Sequence, residues 1–193
     1  MDREQEAEFE TFVTACWGRL VGVAYLLTGD RGNAEDLVQT ALATCYRHWP
    51  RVVAGGREEA YVRTAVVNAH ISNTRKRRFR EVVTFQLPER TGDDAIGTSD
   101  DRDLLRRALR RLPPRTRAAV VLRHYTQLTE TEAASVMSCS VGNIKRLTFQ
   151  GLRQLREHLD APGPRTGHDA VASAKDAVAS AKDAVGSAKG GAR

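Results

Sequence analysis

The chain has 193 residues, with 30 Lys and Arg against 24 Asp and Glu and a net charge of +6. That length suits one or two small domains, and the basic excess favours an anionic partner, either a nucleic acid or a membrane surface. No apolar run approaches the roughly 18 residues of a membrane span, and the acidic start MDREQEAEFETF lacks the layout of a signal peptide, so the expected location is the cytoplasm.

A first helix is expected from about residue 2 to 27. Phe9, Phe12, Val13, Cys16, Trp17, Leu20, Val23, Ala24 and Leu27 keep the i, i+3, i+4 rhythm, and Gly29 suits the left-handed position past its end. Asn33 is a candidate cap for a second helix, whose buried face is Leu37, Val38, Ala41, Leu42, Cys45, Tyr46 and Trp49. Glu35 and Asp36 suit its N-terminal dipole. Pro50 stops it, and 51–57, RVVAGGR, reads as a basic loop. A third helix follows from about 58 to 78, with Tyr61, Val62, Ala65, Val66 and Ala69 inward. It ends in a run with five positive charges, RKRRFR.

Residues 84–101 hold five acids, one arginine, a proline and two glycines, and no helical period survives there. This is a linker between two helical domains. A second domain starts with a helix to Arg111, capped by Ser99 or Asp100. Pro113-Pro114 restarts a helix to about His124. Seven arginines (Arg106, Arg107, Arg110, Arg111, Arg115, Arg117 and Arg123) are expected to surround this domain with positive charge.

Thr129 and Glu132 then form a T-x-x-E capping box. Ser138-Cys139-Ser140 breaks the pattern, and Ser140 can cap the next helix. There Val141, Ile144, Leu147, Gly151, Leu152 and Leu155 make the inner stripe, leaving Asn143, Lys145, Arg146, Gln150 and Arg153 outward. Short helix, tight turn and longer basic helix make a helix-turn-helix whose second helix fits a DNA major groove; an ordinary helical hairpin with a solvated basic face fits the same pattern. Phe149 lies off the stripe, placed to touch a thymine methyl or to pack on a neighbour. From residue 161 the chain is low-complexity: DAVASAK, DAVASAK and DAVGSAK repeat with a heptad period. Such small side chains bury little area, so the tail is expected to be disordered, with an induced helix as the alternative.

Cys16, Cys45 and Cys139 form neither a disulfide framework nor a metal pair, and read as small buried hydrophobes. The five histidines do not pair with cysteines or acids at metal spacing. Neither a phosphate-binding G-x-x-x-x-G-K-S/T loop nor a G-x-S-x-G elbow is present. No catalytic residue, metal or cofactor is therefore expected.

Three segments in order carry a family likeness: YLLTGDRGNAEDLVQTAL at 25–42, EEAYVRTAVVNAHISNTRKRR at 58–78 and LRRLPPRTRAAVVLRHYTQLTETEAASVMSCSVGNIKRL at 109–147. The sequence resembles the extracytoplasmic-function sigma factors of bacterial RNA polymerase, of actinobacterial type, over about residues 9–158. The resemblance implies an all-α fold of two small helical domains joined by a flexible acidic linker. It sets region 2 at 1–83, the linker at 84–101, region 4 at 102–160 and the tail at 161–193. It implies a non-enzymatic initiation factor whose partners are core RNA polymerase (the clamp coiled coil of the largest subunit and the flap) and promoter DNA. An anti-sigma protein is a candidate partner, and a membrane is not.

On that resemblance Glu35, Asp36 and Gln39 face the polymerase. Arg57, Arg63, Asn68, Arg75, Lys76, Arg77 and Arg78 face the −10 element. Asn143, Lys145, Arg146, Gln150 and Arg153 face the −35 element. Asn33 and Thr40 depart from the acids common in the family. The basic residue at Arg146 is displaced by one position, since the family carries arginine where Leu147 stands. The linker acids either imitate nucleic acid in the polymerase channels or form a plain tether. The competing reading is a helix-turn-helix regulator that binds duplex DNA without polymerase.

Overall fold

A computed structural model describes residues 2–83 and 100–159, and every regular element in them is helical. The linker up to residue 99 and the repeat tail lie outside the described residues.

Helix α1 (Arg3–Thr28) opens with a capping box: Asp2 accepts from the Gln5 N–H at 2.9 Å, and Gln5 accepts from the Asp2 N–H at 3.3 Å. It closes on Gly29, at φ +74°, as its sequence pattern predicts. By length and composition α1 is long and apolar enough to cross a membrane, which corrects the expectation that no such run exists. Here its apolar face is core: Cys16, Leu20, Ala24 and Leu27 are almost fully buried, and the helix packs on α2 (Arg31–Tyr46) and α4 (Glu58–Val83).

The cap of α2 is Asp30, whose carboxylate accepts from the Asn33 N–H at 2.7 Å. Asn33 therefore lies inside the first turn and is not the cap. Both residue types are eligible, and the carboxylate three positions earlier takes the bond. Pro50 does not simply stop α2. It sits in the first turn of a short helix, α3 (Trp49–Ala54), so half of the expected 51–57 loop is helical. Trp49 is buried among Phe9 and Phe12, at ring separations of 5.0 and 5.1 Å. Tyr46 turns outward and donates to Glu6 at 3.2 Å. Glu59 ties α1 to α4, pairing with Arg19 at 2.7 Å and Arg63 at 3.0 Å.

The rear module comprises α5 (Asp100–Arg111), α6 (Pro114–Val120) with a π-helical extension at Val121–Tyr125, α7 (Glu130–Val136) and α8 (Val141–Leu159). Gly151 lets α8 approach α6 closely: a β-carbon there would lie 2.4 Å from Val120 Cγ2. Leu105, Leu109, Leu112, Leu122, Ile144 and Leu155 fill the space between these helices.

The two modules are docked, α5 and α6 against α1, and α6 and α7 against α4. Two of the seven arginines expected to face solvent are buried in this contact. Arg117, 8% exposed, donates to the carbonyl of Leu27 at the end of α1, and to those of Arg110 at 2.7 Å and Leu112 at 3.2 Å. Arg106 donates to Gly29 O at 3.4 Å and pairs with Asp103 at 3.5 Å. The physical reason is the helix end: unpaired carbonyls at the negative pole of α1 attract guanidinium groups.

Candidate nucleic-acid and polymerase interfaces

Helix α8 is presented by the turn before it. The capping box predicted at Thr129 and Glu132 is present, with bonds of 3.2 and 2.7 Å. Ser138 takes the left-handed conformation at φ +48°. Ser140 Oγ accepts from the Asn143 N–H at 3.2 Å. The inner stripe of Ile144, Leu147, Gly151 and Leu155 is buried, so the outward set follows from helical geometry.

On that outer surface Arg146 is braced by two amides. Its guanidinium donates to Asn143 Oδ1 at 2.9 Å and to Gln150 Oε1 at 3.1 Å. Both amide NH2 groups stay available, and the charge of Arg146 is not neutralised. Lys145 lies 3.4 Å from Glu130, and Arg153 lies 3.6 Å from Glu157. Phe149 stands between these cations with 70% of its surface exposed. The structure thus brings Asn143, Lys145, Arg146, Gln150 and Arg153 onto one face.

On the front module, His48, Arg51, Val52, Gly55, Arg57 and Tyr61 line an open depression of about 550 Å³ between α3 and the start of α4. The helical pattern points Tyr61 inward; the structure leaves it 41% exposed on the wall of this depression. Tyr61 follows Arg57, the residue just before α4, by four positions and precedes Asn68 by seven, so Tyr61 and Asn68 share a stripe of α4 that begins beside Arg57. That spacing is the signal that could have found it. His48 has no comparable signal. Asn68 is exposed farther along the stripe. Arg63 stands apart, on Glu59 at 3.0 Å. The paired cations hold the Glu59 carboxyl below its usual range, Arg19 contributing most. The backbone of α4 carries Arg75, Lys76, Arg77 and Arg78, whose side chains lie outside the described residues.

The acidic face of α2 shows Asp36 and Gln39 exposed and Glu35 half-buried. Glu35 is paired with Arg31 at 2.9 Å, which leaves Asp36 as the uncompensated carboxylate of the predicted set. Among the described residues, no group of three His, Cys, Asp or Glu is placed to hold a metal. Burial pushes the thiols of Cys16 and Cys45 up to about 11, so both stay protonated.

Two all-helical modules, the front one with an aromatic-walled depression and the rear one with a basic recognition helix, define an RNA polymerase sigma factor of the region 2 and region 4 type. The Sigma-70 region 2 model matches residues 3–80, and the Sigma-70, region 4 model matches residues 102–155. The RNA polymerase sigma-E factor of Streptomyces coelicolor is 38% identical over 154 residues, covering 80% of this chain and 87% of that one. The ECF RNA polymerase sigma factor SigL of Mycobacterium tuberculosis is 32% identical over 146 residues, covering 72% and 82%. Among solved structures, the sigma factor RpoE in complex with the anti-sigma factor NepR, from Bartonella quintana, matches with a TM-score of 0.64 at 26% identity. That match covers 81% of this chain and 99% of RpoE. The chain belongs to the extracytoplasmic-function sigma factors, and is a transcription initiation factor.

Proposed function

We propose that the chain binds core RNA polymerase through the exposed face of α2 and directs it to promoters through two separate DNA surfaces. Glu35, Asp36 and Gln39 meet the clamp coiled coil of the largest subunit, with Asp36 as the principal charge. The α3–α4 depression takes an unstacked base of the −10 element: Tyr61 offers a stacking face, worth roughly 1–3 kcal/mol per base, and Arg51 and Arg57 hold phosphate. Asn68 reads a base edge beside it, and Arg75, Lys76, Arg77 and Arg78 follow the backbone.

The −35 element lies against α8. Arg146 presents a fork suited to guanine O6 and N7, and the Asn143 and Gln150 amides suit adenine. Lys145 and Arg153 supply phosphate contacts, which set register and salt dependence. The observation that carries this reading is the amide-braced Arg146 on a helix-turn-helix, joined in one chain to an open basic depression with an aromatic wall.

On this reading region 2 spans 1–83, the linker 84–101, region 4 102–160 and the tail 161–193. Nothing in the role requires bond chemistry of the chain itself, and the place of action is the cytoplasm. An anti-sigma protein of the kind solved with RpoE is a further partner. The test is transcription in vitro from a genomic template library with core polymerase and the purified chain. Specific start sites sharing two elements are expected. Tight duplex binding with no initiation and no co-elution with polymerase would instead establish a helix-turn-helix regulator.

A further inference from the structure

An amide reads adenine with both of its ends: the oxygen accepts from N6 and the NH2 donates to N7. On α8 those oxygens are already taken. Arg146 donates to Asn143 Oδ1 at 2.9 Å and to Gln150 Oε1 at 3.1 Å. A guanidinium has donors only, so both amides turn their oxygens toward it and keep only their NH2 groups free. The brace and the adenine contact are therefore exclusive.

The brace stands on fixed backbone. Asn143, three positions before Arg146, lies in the first turn of α8, where Ser140 Oγ accepts from its N–H at 3.2 Å. Gln150, four positions after Arg146, precedes Gly151, which is buried against Val120 and Thr116 of α6. Residues at these spacings share one helix face. Both amides are half-buried, while Arg146 itself is exposed. Arg146 also differs from its neighbours in charge. Lys145 lies 3.4 Å from Glu130 and Arg153 lies 3.6 Å from Glu157, whereas among the described residues the partners of Arg146 are amides. A long side chain held ready in the free protein loses less freedom on binding.

With the brace kept, the outer surface of α8 offers donors alone: the remaining guanidinium N–H groups, the amide NH2 groups and the Lys145 ammonium. In the major groove guanine presents acceptors at both N7 and O6. Adenine presents N7 beside an amine that would find no acceptor here, and cytosine presents an amine.

We propose that Asn143 and Gln150 are positioning residues that hold Arg146 as a fixed fork for guanine and do not themselves read adenine. Left free, the same amides suit adenine; held in the brace they do not. The proposal rests on the −35 reading above and narrows it. Base choice at the centre of α8 comes from one guanidinium, and the flanking NH2 groups donate to guanine, thymine or phosphate oxygens beside it.

The test selects duplexes from a randomised library with the full chain, alone and bound to core polymerase, and repeats the selection with variants. The guanine of interest is the one whose preference Arg146→Ala removes. Replacing it by adenine, or by 7-deazaguanine, which lacks N7, should weaken wild-type binding about tenfold. Replacing adenines by 2-aminopurine, which lacks the N6 amine, should change binding by less than about twofold. Asn143→Ala combined with Gln150→Ala should cut the guanine preference below about threefold and leave the salt dependence at its wild-type slope, since no charge is lost. Gln150→Glu keeps an acceptor on Arg146. It should hold the guanine preference within about twofold while overall affinity falls about tenfold, because the new pair neutralises the fork.

The proposal is overturned if the paired alanine variant keeps the wild-type guanine preference, or if Gln150→Glu loses it. It is equally overturned if 2-aminopurine weakens wild-type binding and the alanine variant abolishes that loss, because the amides then read adenine. Should the alanine pair unfold α8, seen as lost helicity, the Gln150→Glu and 2-aminopurine arms decide. A selected duplex that follows this pattern, with a chain that starts no RNA on core polymerase, sinks the promoter reading alone. No selected duplex in either form sinks both.

Discussion

On α8 the central arginine is braced by neutral amides, Asn143 at 2.9 Å and Gln150 at 3.1 Å; on α4 Arg63 is locked to the carboxylate of Glu59 at 3.0 Å. Amide bracing fixes a guanidinium without cancelling its charge, whereas a carboxylate fixes and neutralises it. On the proposed function, the rear surface meets a duplex through charge and groove fit. The front surface relies more on shape, with an aromatic wall and an open depression, and on the cations around it. On that same reading, the two modules divide recognition as a duplex reader and a single-strand reader would.

The strongest way to break this comparison is to remove one side of it. Gly151→Val puts branched carbon where Val120 already lies 2.4 Å from a β-carbon. It should cost the rear module about 3 kcal/mol. Circular dichroism should show partial loss of helix and −35 duplex binding should vanish, while binding of a −10 single strand persists within about twofold.

The comparison sharpens with paired substitutions. Arg146→Ala should lose roughly 1–3 kcal/mol of base discrimination in the −35 duplex. Arg63→Ala should change −10 affinity by less than about 1 kcal/mol, because its charge is already spent on Glu59. Titration against promoter duplexes with single-base changes measures the first, and an oligonucleotide binding curve the second. A large Arg63 effect would mean that the Glu59 pair opens for DNA.

A pH scan reaches the seam between the modules. Burial, aided by the Arg117 charge, pushes His70 down from 6.5 to about 4. The unfolded chain then binds more protons between those values, so this contribution to stability is complete above about 6.5 and is lost as pH falls toward 4. The loss should be about 1 kcal/mol at pH 5.5. Thermal unfolding from pH 7.5 to 5 should show the slope in the wild type and a flatter line in His70→Gln. The smallest expected effect is Thr129→Ala, which removes one half of the α7 capping box and should cost roughly 0.5–1 kcal/mol by chemical denaturation.

The helix-turn-helix was legible because each of its parts is local. A cap meets its partner three residues on, and a buried stripe repeats every turn. The same holds for Gly29 and for the outward residues of α8. Competition between near-equals was harder to read: Asp30 and Asn33 are both good caps, and Pro50 marks either a stop or a start. Least legible was the fate of Arg106 and Arg117. Their sequence neighbourhood is an arginine-rich helix that looks wholly solvated, and the carbonyls that bury them belong to a helix end 77 and 90 positions earlier. Tyr61 was read into the core because its spacing fits an inner stripe. The structure instead leaves it exposed on the depression wall, opposite α3, a helix hidden in what looked like a loop.

Both tryptophans of the chain, Trp17 and Trp49, sit in α1 and α3, and the rear module has none. Trp49 is 1% exposed against two phenylalanine rings, adjoining His48 in the depression wall. Its emission should be blue-shifted in the native chain and should redden only when the front module melts. Indole fluorescence therefore follows the front half alone, while far-ultraviolet ellipticity on the same sample follows the helices of both halves, and the difference isolates the rear half. Any lag between them measures how strongly one half props up the other.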